Sequence, residues 1–300
     1  MKLKLFPALL VIAVLSSYHS GKSSIDYFGQ VPPDETPKIF APQIICLDNR
    51  FESRGAFSPD GKAFYFTVVN SNFTSQKIFF TECIKGKWST PDTATFSKKF
   101  NNHEPFISKD GQKLYFSSDR EKDTLHNRKD LFVTEKRHGV WSKPTKLNKP
   151  VNSDYTELFF NQSKNGTVYF TSDRPGGIGK WDIYFVKANH GKYDILENIG
   201  SPVNKIYAWD PCIATDESFL IFAAGRQDGY GQSDLYVSFN KNGVWTEPKN
   251  LGNKINTKAN EFGPFLSPDN KYLFFCRHDG KKGDIYWVDI NIIHENRSNL

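Results

Sequence analysis

Five acidic residues occupy related positions in five similar stretches of the sequence. Counted back from a turn residue that recurs in each stretch, three acids lie at position −6 and two at position −4: Glu52, Glu157 and Glu261, then Glu104 and Asp210. The turn residues that define this count are Ser58, Ser108, Ser163, Ala214 and Ser267. Residues two apart on an extended strand point to the same side. We therefore expect the five carboxylates to converge at one mouth of a channel, with His103, Trp209 and Arg54 beside them.

A cluster of carboxylates suits two kinds of chemistry. It can bind a divalent cation, which takes hard oxygen ligands, or it can supply the acid and base of glycoside hydrolysis when two carboxyl groups stand about 5 to 10 Å apart. Mutual repulsion would also favour a basic partner group over an anion. In the alternative interpretation each acid caps backbone amides of a neighbouring loop, because the acids recur in register. No cofactor other than a channel cation is expected, and no His or Cys spacing indicates a metal site.

A second set of charged residues recurs in four of the stretches. An arginine follows one strand-like run and an aspartate opens the next: Arg120, Arg174, Arg226 and Arg277, and Asp130, Asp182, Asp234 and Asp284. Adjacent antiparallel strands would bring each arginine near its aspartate, where a charge-assisted hydrogen bond would tie the strands together. Because a catalytic residue is needed only once, this recurrence predicts a structural brace.

These residues lie on copies of a repeat about fifty residues long, a period typical of radial or stacked repeat proteins. The first half of a copy carries strand-like runs on both sides of an Asp-Gly type turn, as in FSPDGKAFYFT (57–67) and FISKDGQKLYFSSDR (106–120). The second half adds two more runs, as in DLFVTEKRHGVWSKP (130–144). The turn residues suit chain reversal, and the aromatic and β-branched runs suit half-buried strands. Each copy therefore predicts four antiparallel strands, which form one propeller blade.

The predicted fold class is all-β, with a five-bladed β-propeller of four-stranded antiparallel blades over residues 38–290. The blades are placed at about 51–98, 102–150, 155–203, 207–255 and 259–290. The fifth copy stops after its third strand, and residues 39–47 resemble an outer strand, so the N-terminal segment is expected to close the last blade. Such closure would remove two exposed sheet edges. Residues 21–37 are interpreted as a linker and residues 291–300 as a polar tail.

The copies resemble the WD40-like PD40 repeats of TolB-type periplasmic propellers. The segment SDRPGGIGKWDIY (172–184) is especially similar to repeats in envelope proteins that join such a propeller to a peptidoglycan-binding domain. The first copy departs from the family pattern, because Val69-Asn70 and Lys77-Ile78-Phe79 replace its Ser-x-Arg and Asp-Ile-Tyr elements. TolB-type propellers are usually six-bladed, so six blades are the alternative to the five copies found here. The resemblance implies a propeller of the bacterial cell envelope.

The N-terminus has the features of a secretory signal peptide. Lys2 and Lys4 precede an apolar stretch from Leu5 to Leu15 that is short for a membrane span, and small residues near Ser20 suit cleavage. Residues 1–20 are therefore predicted to be removed, leaving a periplasmic or secreted protein without stable membrane insertion or a lipobox cysteine. The four cysteines fall in different blades or on non-adjacent strands, so free thiols are expected instead of disulfides.

The charge composition argues against one class of partner, nucleic acids. The formal net charge is +6 and the lysines are scattered, which argues against nucleic-acid binding. Two functions remain: a non-catalytic, monomeric module that binds an envelope protein or glycan, and a carbohydrate-active hydrolase or lyase that uses the five carboxylates. The sequence favours the binding module, because it shows no nucleophile motif, and we assign no catalytic residue.

Overall fold

The computed structural model describes residues 25–70, 72, 74–121, 128–189 and 192–298. The described chain is nearly all-β, with strands in several sheets and one α-helix near its end. The predicted signal peptide and the start of the predicted linker lie outside the described residues. Within those residues, no helix has the length and apolar character needed to cross a membrane.

The strands follow the sequence copies in order. Strand β1 is Lys38–Ile39, and the first copy contains β2 (Phe51–Phe57), β3 (Ala63–Val69), β4 (Gln76–Ile84), β5 (Lys87–Trp88), β6 (Asp92–Thr93) and a 3₁₀ turn (Thr95–Ser97). The second contains β7 (Asn102–Ile107), β8 (Lys113–Ser118), β9 (Asp130–Arg137), β10 (Val140–Trp141) and β11 (Thr145–Lys146). The third contains β12 (Glu157–Gln162), β13 (Val168–Ser172), β14 (Asp182–Asn189) and β15 (Lys192–Asn198). The fourth contains β16 (Trp209–Ile213), β17 (Phe219–Ala224), β18 (Asp234–Lys241), β19 (Val244–Trp245) and β20 (Lys249–Asn250). The fifth contains β21 (Asn260–Leu266), β22 (Tyr272–His278) and β23 (Gly283–Asp289), and helix α1 (Asn291–Ser298) follows.

The first three strands of each copy pair in order as an antiparallel sheet. The second, third and fourth copies form separate sheets, while the first and fifth are joined in one nine-stranded sheet by a single parallel pair between Phe51 and Gly283. The innermost strands are β2, β7, β12, β16 and β21. Each contacts the next along the chain, and β21 contacts β2, so the five strands form a ring.

Proline breaks the outer strand in three copies. In the first, second and fourth copies this strand is divided into two short pieces, and the residue immediately before the second piece is Pro91, Pro144 or Pro248. Proline has no backbone N–H and cannot donate to the sheet. The third copy has no proline there, and its outer strand runs unbroken as β15.

The N-terminal segment pairs with the fifth copy, but over fewer residues than predicted. Ile39 pairs with Tyr286 on β23, and the amide of Phe40 donates to the carbonyl of Ile285 at 2.8 Å. After this the chain turns, with positive φ at Ala41, and leaves the sheet. The predicted closing strand 39–47 is therefore confined to β1, because a left-handed residue and then Pro42 end the extended conformation.

Five buried apolar clusters form the core, and each lies between neighbouring copies. The cluster between the fifth and first copies also takes in Tyr27 and Phe40 from the N-terminal segment. The cluster between the fourth and fifth copies takes in Ile292 and Ile293 from helix α1. The predicted linker and tail are thus packed on the core where they are described, because each carries large apolar side chains on the buried side.

We expect Phe40→Ala to destabilise the protein by about 3 to 5 kcal/mol, because truncating a buried phenylalanine leaves a cavity. Phe40 is 0% exposed and meets the rings of Phe57, Phe274 and Trp287 edge-on. Urea unfolding measures the change, and Val31→Ala is the control, since Val31 is 79% exposed in the same segment. If Phe40→Ala unfolds at the same urea concentration as the parent, the N-terminal segment does not hold the fifth and first copies together.

Candidate functional site

Each innermost strand carries a β-bulge next to position −4. The pairing register shifts there in all five copies. Four of the −4 residues have a left-handed backbone, with φ of 61° at Glu104, 61° at Phe159, 57° at Asp210 and 60° at Gly263. A bulge interrupts the alternation of side chains along a strand. The acids at −6 and −4 are consequently divided between two places, in contrast to the expected convergence at one mouth.

The acids at position −6 are buried and hold an arginine and a loop amide. Glu157 accepts hydrogen bonds from Arg174 Nη2 at 2.9 Å and from the Ser153 amide at 3.0 Å. The other two have the same kinds of partner: Glu261 with Arg277 and Thr257, and Glu52 with Arg50 and Leu47. All three acids are 0% exposed. Their contacts are those of loop caps, as in the alternative interpretation.

The arginines contact aromatic rings and backbone carbonyls instead of the predicted aspartates. The guanidinium carbon of Arg174 lies 5.1 Å from the ring centres of both Phe170 and Tyr184. Arg174 also donates to the carbonyls of Pro150 and Val151 at 3.1 and 2.6 Å, on the segment that joins the second copy to β12. Three more arginines lie between rings in the same way: Arg120 with Phe116 and Phe132, Arg226 with Phe222 and Tyr236, and Arg277 with Phe275 and Tyr286.

The recurring aspartates bind the loop before the third strand or the outer strand. Asp182 accepts hydrogen bonds from the amides of Ile178 and Gly179 at 2.6 and 2.9 Å, and from Asn198 Nδ2 at 2.8 Å. The other three have local partners as well: Asp234 binds Tyr230, Gly231 and Asn250, Asp130 binds Lys146, and Asp284 binds Lys282. The expected Arg–Asp pairs do not form, because the aspartates are held by the loop before the third strand or by the outer strand, and the arginines are held by aromatic rings and backbone carbonyls.

The first copy obtains its arginine from another part of the chain. Arg50 lies 5.7 Å from the ring centre of Phe66 and 5.4 Å from that of Phe79, and it donates to the carbonyl of Ile45 at 2.8 Å. It therefore fills the place that Arg174 fills in the third copy. The sequence comparison missed Arg50 because it precedes β2 instead of following β3. Its position two residues before Glu52 is the only signal in the sequence.

Three buried asparagines were also missed. Asn204 accepts from the amide of Ile183 at 3.0 Å and donates to its carbonyl at 2.9 Å, so one side chain satisfies both backbone groups at the start of β14. Equivalent bonds join Asn152 to Leu131 and Asn256 to Leu235. The signal was present as Val-Asn or Ile-Asn at matching positions in successive copies.

The residues at position −4 meet where the innermost strands come together. The Phe159 amide donates to Glu104 Oε2 at 3.2 Å, and the Gly263 amide donates to Asp210 Oδ2 at 2.6 Å. The guanidinium of Arg54 lies over the ring of Phe159 at 5.7 Å. These five residues, which we call the axial cluster, are Arg54, Glu104, Phe159, Asp210 and Gly263.

Charges in the axial cluster are buried but close to one another. Burial, together with the charge of Glu104, raises the pKa of Asp210 well above its usual range, although Arg54 acts in the opposite direction. Burial also acts to raise the pKa of Glu104, but His103 and Arg54 outweigh it and the net direction is downward. His103 Nδ1 lies 2.8 Å from Glu104 Oε1. The cluster thus contains two carboxyl groups whose pKa values are shifted in opposite directions, a combination that acid–base sites use.

The cavity between the third and fourth copies has a volume of about 640 Å³. Residues near the start of β12 and of β16 line it, and one of them, Phe159, has the guanidinium of Arg54 over its ring at 5.7 Å. Among the described residues that line it, none is acidic, and the principal side chains are Trp181, Ile206, Tyr207, Trp209, Arg226 and Gln232. We call this space the aromatic cavity. Of the residues proposed from sequence to bind a ligand, only Trp209 lines it.

A second cavity of about 380 Å³ lies at the other end of the innermost strands. All five copies line it, through residues such as Ala56, Phe106, Gln162, Thr215 and Leu266. None of the five acids at positions −6 and −4 is among its described lining residues. The five acids therefore line neither of the two cavities, although Arg54 of the axial cluster lines the second one.

Among the residues that the structure describes, one group of side chains has the spacing of a metal site. The ligand atoms of Cys46, Glu52 and Asp284 lie within 4.8 Å of one another, and all three residues are buried. Glu52 is paired with Arg50, and Asp284 with Lys282 at 3.0 Å, so basic side chains already neutralise both carboxylates. In the axial cluster Arg54 likewise supplies the positive charge that a cation would bring. Both groups fit a resident cation poorly.

Comparison with solved structures supports a TolB-like β-propeller fold. A putative TolB from Agrobacterium tumefaciens superposes with a TM-score of 0.52 at 13% identity, covering 81% of this chain and 78% of that one. A thermostable family-43 glycoside hydrolase gives 0.52 at 10% identity, with 80% and 89% covered. An α-L-arabinofuranosidase from Lactobacillus brevis gives 0.51 at 14%, with 78% and 87% covered. No protein-family model matches the sequence, and no curated protein is significantly similar to it. At these identities the likeness is one of fold alone.

We expect Glu52 to make stability depend on pH. Burial raises its pKa to about 7, although Arg50 acts in the opposite direction. A carboxyl group with a raised folded-state pKa stabilises fully below its unfolded pKa, and this contribution is lost as the pH rises through the folded value. Relative to Glu52→Gln, the parent should therefore lose roughly 2 to 3 kcal/mol of unfolding free energy between about pH 4.5 and 8.

Urea unfolding of the parent and of Glu52→Gln across this pH range gives the difference between their unfolding free energies. Titrating groups that both proteins share cancel in this difference. The control is Glu135→Gln, since the Glu135 side chain is 42% exposed. A parent–variant difference that stays constant with pH would contradict the assignment.

Proposed function

We propose that this protein is an exported, non-catalytic binding module of the bacterial cell envelope, and that its ligand occupies the aromatic cavity. One observation carries the proposal. The carboxylates that could perform acid–base chemistry are 0 to 8% exposed and held by other groups, whereas the aromatic cavity is open and has no described carboxylate in its lining. The ligand is a glycan or a protein segment of the envelope.

We further propose that the five copies are five blades of one propeller, with β1 as the fourth strand of the last blade. The contacts of the innermost strands in a ring support the count, and the pairing of β1 with β23 supports the closure. We propose that the protein acts as a monomer that binds its partner through its loops. Export follows from the predicted signal peptide, and the four free cysteines, three of them buried, need no disulfide partner.

The aromatic cavity has the size and lining of a small-ligand site. Such sites have volumes of roughly 300 to 1,000 Å³ and combine apolar walls with a few polar groups that fix orientation. Here Trp181, Tyr207 and Trp209 supply aromatic walls, while Arg226 and Gln232 supply polar groups. Tyr207 is 39% exposed and meets the Trp209 ring edge-on at 6.3 Å, so it stands at the opening.

The alternative function, a carbohydrate-active enzyme, rests on the axial cluster. Asp210 has a raised pKa and Glu104 a lowered one, and Phe159 between Arg54 and the cavity is the barrier that a substrate would have to pass. In that case Asp210 would act as the acid. The binding module remains the better proposal, because neither carboxyl group lines the cavity.

We expect Tyr207→Ala to weaken ligand binding about tenfold or more, because the variant loses a ring against which the ligand can stack. Stability should be nearly unchanged, because the Tyr207 ring is not part of the core. Purified parent and variant are compared on an array of envelope and plant-type glycans, with a melting curve for each. Tyr155→Ala is the matched control, since Tyr155 is 43% exposed and does not line the cavity.

Equal binding by parent and Tyr207→Ala would place the ligand elsewhere. The bound glycans are also incubated with the parent and analysed for cleavage products. Cleavage that Asp210→Asn abolishes would replace the binding module with the enzyme.

A further inference from the structure

We propose that the ligand of the aromatic cavity is a saccharide that carries a carboxylate, and that this carboxylate pairs with Arg226. The inference rests on the proposed function and names the ligand class of that site. It comes from comparing Arg226 with the arginines that fill the same place in the other four copies.

Arg226 keeps the carbonyl partners of its counterparts, since its Nη2 donates to Pro202 and Val203 at 3.0 and 2.8 Å, but its Nε lacks the side-chain partner that they have. The Nε atoms of Arg120 and Arg174 each donate to a serine two residues earlier, Ser118 and Ser172, at 3.0 Å. In the first and fifth copies the Nε atom donates to a glutamate at position −6, Glu52 or Glu261. In contrast, Arg226 Nε is buried and has no hydrogen-bond partner within the described chain.

Two alanines account for the difference. Ala224 stands where Ser118 and Ser172 stand, two residues before the arginine. Ala208 stands at position −6, where the other copies have an acceptor for the arginine: Glu52, Asn102, Glu157 and Glu261. Both alanines are 0% exposed, and Ala208 lies between Tyr207 and Trp209, which line the cavity. The fourth copy therefore has a cavity beside the position where other copies have a carboxylate or an amide.

A second polar atom at the same interface is also without a partner. In three copies a side chain at one place on the second strand accepts a hydrogen bond from the backbone amide of the −4 residue in the next copy. The pairs are Thr67 with Glu104 at 2.9 Å, Ser117 with Phe159 at 3.4 Å, and Cys276 with Arg54 at 3.0 Å. Thr171 is the counterpart in the third copy, and its Oγ1 is buried with no hydrogen-bond partner in the described structure. Thr171 and Arg226 line the same cavity. Leaving a buried polar group without a hydrogen bond is unfavourable, so a ligand that satisfies either group binds more tightly.

The carboxylate that pairs with the equivalent arginine in other copies indicates that the ligand of Arg226 is negatively charged. In the third and fifth copies the guanidinium binds a carboxylate at 2.9 and 2.8 Å. Among the described residues, the acidic group nearest to Arg226 is Glu247 at 3.7 Å, whose side chain is 62% exposed and also pairs with Lys205 at 2.6 Å. Charge-assisted bonds to arginine are the strong ones, so a ligand carboxylate at the place of Glu157 or Glu261 would restore the pairing seen elsewhere in the ring.

The rest of the cavity indicates a saccharide attached to that carboxylate. Trp181, Tyr207 and Trp209 offer flat apolar faces, and Gln232 and Thr171 offer polar groups to hydroxyls. The volume of about 640 Å³ suits a ligand of one to a few sugar rings. A sugar acid therefore matches both the aromatic walls and the charge of Arg226.

The test measures the preference of the protein for an acid over its own methyl ester. Tryptophan fluorescence follows titration with oligosaccharides ending in uronic or sialic acid, each paired with its methyl ester, which keeps the shape and removes the charge. The parent should bind at least one acid about tenfold more tightly than its ester. Peptides with a free C-terminal carboxylate and their amides form a second panel.

Two variants rebuild the internal partners found in other copies. Ala208→Glu supplies the carboxylate and should remove the preference for acid over ester. Ala224→Ser adds only one oxygen and should fold as well as the parent. Its hydroxyl should accept a hydrogen bond from Arg226 Nε and thereby reduce the preference for acid over ester. Ser118→Ala is the matched control, because it removes the same hydroxyl in the second copy and should leave the preference unchanged.

The outcomes separate this inference from the proposed function. If Tyr207→Ala weakens binding of acid and ester alike while acid and ester bind the parent equally, the cavity is a binding site but the carboxylate inference is overturned. Retention of the full preference by folded Ala208→Glu and Ala224→Ser, or millimolar binding confined to the peptide panel, would overturn it as well. Loss of the preference in Ala208→Glu or Ala224→Ser, with Ser118→Ala unaffected, would support it.

Discussion

An arginine between two aromatic rings is the interaction on which the rest of this structure depends. In each copy the guanidinium lies over a ring from the second strand and a ring from the third strand, at distances between 4.4 and 5.7 Å. In four copies its N–H groups reach carbonyls on the segment that leads from the preceding copy, and in the first copy Arg50 reaches the carbonyl of Ile45 in the N-terminal segment. One side chain thereby joins the sheet of its own copy to the incoming chain. Such stacking is favourable when the cation is partly desolvated, and the donors are satisfied at the same time.

The same contact explains why most of the acids are unavailable for chemistry. A buried guanidinium needs acceptors, and the acids at position −6 supply them in three copies. Removing one partner of a buried pair leaves an uncompensated charge, which is strongly unfavourable. These acids are consequently fixed in pairs with arginines. An acid recurs along the sequence because each of these copies has a buried arginine whose charge it neutralises.

Departure from the repeat pattern is then more informative than the pattern itself. The fourth copy keeps the arginine and both rings but has alanine at the two acceptor positions, Ala208 and Ala224. The aromatic cavity lies at this place, between the third and fourth copies. A repeat fold stabilised at five equivalent interfaces can relax one of them, because the remaining contacts still hold the ring.

Local sequence alone determined the number of copies, the type of their strands and the order in which they pair. Turn chemistry and aromatic runs act within about fifteen residues, so they can be read without knowing the fold. The directions of the side chains at positions −6 and −4 could not be predicted in this way. The bulge places non-glycine residues such as Glu104 and Asp210 in a left-handed conformation that sequence rarely signals.

Only the tertiary structure decided the partners of the charged residues. Arg50 reaches the first copy from outside it, and Arg174 donates to carbonyls more than twenty residues earlier in the chain instead of to Asp182. Such partners depend on how neighbouring copies approach one another, which spacing along one copy does not contain. The aromatic cavity has the same origin: Trp181 and Arg226 belong to different copies, and they line one cavity only because two sheets pack side by side.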